Sequence, residues 1–126
     1  MKPKMKKKKT ILVVDDSFYM RTIIKNMLSD AGYDVVGEAG TAEEALKQTE
    51  KLQPELITLD LILPDNNGTD LLQKIKSEHP EIKVVVVSAV GQELILNKAK
   101  DLGAANYITK PFDEQEVLRT IKEVLK

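Results

Sequence analysis

The sequence predicts an α/β domain: a parallel sheet of five strands with helices covering both faces. Three observations predict it. Short, continuously apolar runs alternate with amphipathic stretches, strand then helix, five times along 126 residues. Those runs lack the in-out polar alternation of a sheet with one wet face. Serine, threonine, proline and glycine stand at the boundaries, where caps and turns belong. This alternation gives parallel strands joined by helical crossovers. The length suits one domain with one core, and no repeat, low-complexity linker or second domain is visible.

The elements follow in order. "TILVVD" (10–15) reads as a buried strand. Ser17 is a good helix N-cap. Met20, Ile23, Ile24, Met27 and Leu28 then form one apolar helical face, and Gly32 stands where a C-terminal cap belongs. "YDVVGEA" (33–39) reads as a shorter strand. Thr41, with Glu44 three residues later, makes a capping-box pattern, and Ala42, Ala45, Leu46 and Leu52 supply the inner face of that helix. Pro54 precedes the third strand, "ELITLD". A helix over 68–78 presents Leu71, Leu72 and Ile75. "IKVVVVSA" (82–89), with four consecutive valines, is the most strand-like run in the chain. A helix over 92–102 ends at Gly103, and "ANYITK" (105–110) is the fifth strand. The last helix, 113–126, shows Val117, Leu118, Ile121, Val124 and Leu125 on one face.

Composition excludes several classes. No apolar run approaches the ~20 residues a membrane-spanning helix needs. The basic start is followed only by "ILVV" and two aspartates, which is no secretory signal. The chain has no cysteine, so a disulfide framework and a thiolate metal site are both excluded. A cytoplasmic protein is the expectation. Residues 1–9 carry six lysines and no acid, leaving 13 basic against 20 acidic side chains in the rest of the chain. The folded part is therefore acidic, which argues against nucleic-acid binding. Residues 1–8 read as a basic, frayed tail and residues 9–126 as the domain.

Sites in open parallel sheets form outside the carboxyl ends of the strands. Here the first strand ends in Asp15 and Asp16, the third in Asp60, the fourth in Ser88 and the fifth in Lys110. Asp34 and Glu38 fall off this pattern and read as surface residues. Three neighbouring carboxylates repel one another unless a cation joins them. An all-oxygen set without His or Cys suits a hard ion such as Mg²⁺. His79, the one histidine, reads as a solvated loop residue rather than a ligand. A lysine and a hydroxyl facing the acids suggest a dianionic ligand. A carboxylate can itself be a nucleophile and form an acyl phosphate. Asp60 is then a candidate phosphoryl acceptor, with Mg²⁺ on one side, Lys110 on the other and Ser88 donating a hydrogen bond.

The pieces "VVDDS", "LDLILPDNNG", "VVVVSA" and "ITKPF" carry a family likeness. From Lys9 to Lys126 the chain resembles the receiver domain of two-component response regulators. The resemblance implies a flavodoxin-like (βα)5 fold, with strand order 2-1-3-4-5. It implies that Asp60 is the phosphoacceptor, and that Asp15, Asp16, Asp60 and the backbone carbonyl of Ile62 hold Mg²⁺. Ser88 and Lys110 contact the phosphoryl group, and Lys110-Pro111 is a cis peptide that aims the lysine inward. Within the family, "DDSFYMR", "SAVGQ" and "YITKPF" look most like the CheY-like chemotaxis receivers. Tyr107 falls at the family's aromatic switch position. The implied partners are a CheA-like sensor histidine kinase and a possible phosphatase. A target such as the flagellar motor switch protein would bind the face made by the fourth helix, fifth strand and fifth helix. No output segment follows the last helix, so a monomeric, single-domain signalling protein is expected. It would assist its own phosphorylation and dephosphorylation rather than act as an enzyme.

The chain also departs from the family pattern. Ser88 replaces a frequent threonine, Asn66 stands where an apolar residue is common, and Phe18 is bulky beside the metal site. Ile62 and Val90 occupy positions that are often polar. Apolar groups there would hinder an attacking water, so slow self-hydrolysis is expected. A haloacid dehalogenase-type phosphatase would need an acid two residues after its aspartyl nucleophile. Ile62 and Ser17 stand at those positions instead. A flavin carrier would need a hydroxyl- and glycine-rich phosphate loop where "VDDSFYMR" places acids. A phosphorelay intermediate or phosphate sink keeps the same receiver chemistry and changes only the output.

Overall fold

The structure, a computed structural model, describes residues 7–126. Residues 1–6 of the expected frayed tail lie outside the described residues, and residues 7–9 are exposed and form no helix or strand. Five strands and five helices alternate: β1 (Thr10–Val14), α1 (Phe18–Asp30), β2 (Asp34–Ala39), α2 (Ala42–Leu52), β3 (Leu56–Leu59), α3 (Gly68–Glu78), β4 (Lys83–Ser88), α4 (Glu93–Asp101), β5 (Asn106–Thr109) and α5 (Glu114–Val124). All neighbouring strands are parallel, in the order β2-β1-β3-β4-β5. This is the flavodoxin-like arrangement expected from the sequence.

Strand side chains point alternately to the two faces, and this splits the core into two layers. Leu12, Val14, Ile57, Leu59, Val84 and Val86 pack against α2, α3 and α4 through Ala45, Leu71, Leu72, Ile75 and Ala99. Ile11, Val13, Leu56, Val85, Val87 and Ile108 face α1 and α5, meeting Ile24, Met27, Leu28, Val117 and Ile121. Both faces are covered, so β1, β3 and the valine run of β4 can be almost wholly apolar, with Thr58 of β3 buried among them. Each fully buried aliphatic side chain contributes roughly 1.5–3 kcal/mol.

Two local expectations need correction. β2 is not the shorter strand: it spans six residues against five in β1. It accommodates the extra residue through a register shift between Ile11 and Leu12, whose partners are Val35 and Gly37. A Cβ on Gly37 would lie 2.7 Å from Leu52 Cδ1, so any larger residue there would make the Leu52 side chain turn aside. His79 is not a solvated loop residue. It stands at the C-terminal cap of α3, its side chain is only 12% exposed, and Nε2 lies 3.0 Å from Glu50 of α2.

Candidate functional site

The carboxyl ends of β1, β3, β4 and β5 converge, and the parallel register alone brings their last residues together. Asp60 follows β3 directly, its amide donating to Val14 O at 3.0 Å. Asp15 follows β1, its amide donating to Ala39 O at 3.0 Å. Lys110 follows β5, its amide donating to Ser88 O at 2.9 Å. The Lys110-Pro111 peptide is cis.

Asp60 is 5% exposed and Asp15 is 1% exposed, so both carboxylates need partners. Asp60 Oδ1 accepts from Ser88 Oγ at 2.8 Å and from the Ile62 amide at 2.9 Å. Asp60 Oδ2 accepts from Lys110 Nζ at 2.8 Å. The same ammonium donates to Asp15 Oδ2 at 2.6 Å, while Asp15 Oδ1 takes the Ser17 amide at 2.9 Å. A carboxylate oxygen has two lone pairs. Oδ1 of Asp60 is therefore filled, and Oδ2 keeps one pair free. Burial pushes the Lys110 ammonium down, but its hydrogen bonds to Asp15 and Asp60 and their charges outweigh this. Its pKa lies above the ordinary lysine value.

Asp16 is exposed and completes the cluster: one carboxylate oxygen each from Asp15, Asp16 and Asp60 lies within 4.8 Å of the others. The set is all oxygen, partly buried and open on the Asp16 side. It fits a hard divalent cation that keeps several waters. Ile62 stands in the loop beyond Asp60, in an isolated bridge with Asn67.

Tyr107 is tied to the same cluster at one remove. Its phenol donates to the carbonyl of Val90, and the Val90 amide lies 3.5 Å from Ser88 Oγ. Burial raises the Tyr107 pKa and outweighs the lowering by nearby Ser88, while the charge of Asp60 adds to the rise. The ring borders a groove of about 390 Å³ between α4 and β5, lined by Leu96, Lys100 and Ala104 among others.

Sequence reasoning missed three supports. Arg21 donates to Asp15 O at 2.7 Å and to Glu38 at 2.8 Å. Glu38, expected at the surface, is half-buried, and Lys25 also binds it. The bond from Lys25 and then that from Arg21 hold its pKa below the usual carboxylate range. Asp65 reaches across from the loop after Asp60 to the amides of Ala42 and Glu43, at 2.8 and 3.0 Å. Those two bonds lower its pKa. With Thr41 Oγ1 on the Glu44 amide, the first turn of α2 is satisfied. The signals were short-range for none of these, since each pairs residues from different elements. Phe18, expected beside the metal site, is 71% exposed at the start of α1, with the Arg21 guanidinium 5.7 Å from its ring centre.

Comparison with known proteins agrees with this geometry. Residues 11–122 match the response regulator receiver domain family. The chain is 36% identical to the chemotaxis protein CheY of Thermotoga maritima over 94% of its own length and 98% of that protein. It superposes on a CheY-like receiver domain protein from Methanospirillum hungatei with a TM-score of 0.88 at 34% identity, covering 93% of each chain. A chain of the CheX-CheY-BeF3-Mg complex from Borrelia burgdorferi gives a TM-score of 0.91 at 26% identity, covering 94% of this chain and 90% of that one. The chain belongs to the response regulator receiver domain family and is closely related to CheY.

Proposed function

We propose that the protein accepts a phosphoryl group on Asp60 and that the change switches the face formed by α4, β5 and α5. One observation carries this reading: a buried carboxylate meets one buried hydroxyl and one ammonium, Ser88 and Lys110, each at 2.8 Å. Oδ2 of Asp60 attacks the phosphorus with its free lone pair and forms an acyl phosphate. The bond from phosphorus to the donor breaks at the same time. With a phosphohistidine of a CheA-like sensor kinase as donor, the imidazole nitrogen leaves with the bonding pair. Lys110 neutralises charge developing on the transferred oxygens. Ser88 leaves Oδ1 and donates to a phosphoryl oxygen instead.

Asp15, Asp16, Asp60 and the carbonyl of Ile62 would hold Mg²⁺, which when bound supplies positive charge on the face opposite Lys110. The Borrelia burgdorferi CheX-CheY-BeF3 complex contains Mg, which supports that choice of ion. Movement of Ser88 is read by Tyr107 through Val90. The ring turns toward the space Ser88 vacates, and the groove beside it changes shape. A near-complete switch needs about 5.5 kcal/mol of differential stabilisation. The similarity to CheY proteins supports a flagellar motor switch protein as target, with the receiver acting as a cytoplasmic monomer.

The test is incubation with acetyl phosphate, with and without Mg²⁺, read by intact mass beside Asp60→Asn. The expected result is a Mg²⁺-dependent, base-labile adduct in the wild-type chain and none in the variant. An adduct of equal yield in Asp60→Asn would overturn the assignment.

A further inference from the structure

At the opposite end of the sheet from Asp60, the C-terminal halves of α2 and α3 meet around the only histidine of the chain. His79 Nε2 lies 3.0 Å from Glu50 Oε2, and Nδ1 lies 3.9 Å from Glu81 Oε1. Glu78 joins them: one ligand atom each from Glu50, Glu78 and His79 lies within 4.8 Å of the others.

Three features set this group apart from an ordinary acidic surface. First, the charges are unbalanced. Among the described residues no lysine or arginine forms an ion pair with Glu50, Glu78 or Glu81; the ion-pair neighbour of Glu50 and Glu81 is His79. The nearby Lys76 is committed to the carbonyls of Pro80 and Ile82, at 2.9 and 2.8 Å. The partial negative charge at the end of α3 adds to the demand for a cation. Second, the imidazole is held in place. His79 is the capping residue of α3, its amide bonded to Ile75 O at 2.7 Å, and its ring is largely buried. Third, its two nitrogens face different carboxylates. Without an ion the close contact is an Nε2–H donated to Glu50; an ion at Nε2 replaces that proton and leaves the ring N–H on Nδ1, beside Glu81.

One imidazole nitrogen with two carboxylates is the donor set of a borderline divalent ion such as Zn²⁺, not of Mg²⁺. We propose that Glu50, Glu78 and His79 form a Zn²⁺ site that bridges α2 and α3, with Glu81 positioning the imidazole. It is separate from the Asp15–Asp16–Asp60 cluster and does not depend on phosphorylation of Asp60. An ion there ties together two helices that pack on the same face of the sheet.

The experiment titrates Zn²⁺ into the ¹⁵N-labelled full chain in excess Mg²⁺ and follows the ring signals of the one histidine. The expected result is a saturable shift of the His79 Nε2 signal at one Zn²⁺ per chain, retained in Asp60→Asn. Glu50→Gln and Glu81→Gln each weaken the apparent affinity by roughly tenfold or more. Both side chains are exposed, so neither variant puts folding at stake. Unchanged affinity in both variants, no ring shift in the wild-type chain, or loss of the shift in Asp60→Asn would each overturn the proposal.

Discussion

The hydroxyl of Ser88 donates to Oδ1 of Asp60 at 2.8 Å, joining the ends of two adjacent strands. Ser88 is fully buried, so this bond is not exchanged with water. Ser88→Ala removes one hydrogen bond to a charged group, worth about 1.5–3 kcal/mol. Phosphorylation by acetyl phosphate should slow by roughly tenfold or more. Ser88→Thr keeps the oxygen and should stay nearer the wild-type rate. Intact-mass time courses decide it, and equal rates for the alanine and wild-type chains would remove Ser88 from the phosphoryl-contact role.

Among the described residues, Lys110 is the cation shared by Asp15 and Asp60. Lys110→Met leaves two buried carboxylates without it, which costs on the order of 1–3 kcal/mol or more. Chemical denaturation without Mg²⁺ should show that loss, and added Mg²⁺ should stabilise the variant through mass action. The pH dependence follows from the raised lysine pKa. The folded value lies above the ordinary 10.5, so the stabilisation is fully present below that pH and is lost as pH rises through the folded value. The gap between wild type and variant should hold steady through neutral pH and close only in strong alkali. A gap that closes near neutrality would contradict the pairing.

Gly68 fixes the return of the loop that carries Asp60 and Ile62. Its amide donates to Leu61 O at 2.9 Å, and a Cβ at that position would sit 2.2 Å from Leu61 Cα. The clash is with backbone, so no side-chain rotation relieves it. Gly68→Ala should cost about 1–3 kcal/mol and slow phosphorylation by displacing the Ile62 amide from Asp60. Thermal unfolding beside the acetyl phosphate assay measures both. A variant with wild-type stability and rate would show that the loop gives way freely.

Much of this was legible in the sequence because strand ends are legible. "ILVV", "LITL" and "VVVV" are too apolar for a half-wet sheet, and the residue ending each run faces the site. That is how Asp15, Asp60, Ser88 and Lys110 could be named, although Lys110 lies 95 residues from Asp15 and 50 from Asp60. Contacts between elements with no periodic signature were not legible. Asp65 caps α2 from 23 residues away, and Arg21 reaches Glu38 across 17. Gln53 ends α2 in the left-handed region at φ 46°, where a glycine would have announced the cap. His79 meets Glu50 of another helix, 29 residues away, and no property of "SEHPE" shows that.

The side chains at Ile62 and Val90 are expected to lengthen the life of a phosphoryl group on Asp60. Hydrolysis needs a water held in line behind the phosphorus. Ile62, 53% exposed, carries no group that could hold that water. Val90 offers its backbone to Ser88 and Tyr107 and has no polar side chain. The purified phosphoprotein should therefore decay slowly, over minutes or longer. Ile62→Gln introduces a group that can hydrogen-bond the water, and one such bond is worth about 0.5–1.5 kcal/mol, up to roughly tenfold in rate. Phe18→Ala, which clears space on α1 without adding a polar group, should leave the decay unchanged. Following loss of the adduct by intact mass after acetyl phosphate is removed settles it. A half-life of seconds in the wild-type chain would show that neither side chain keeps water away.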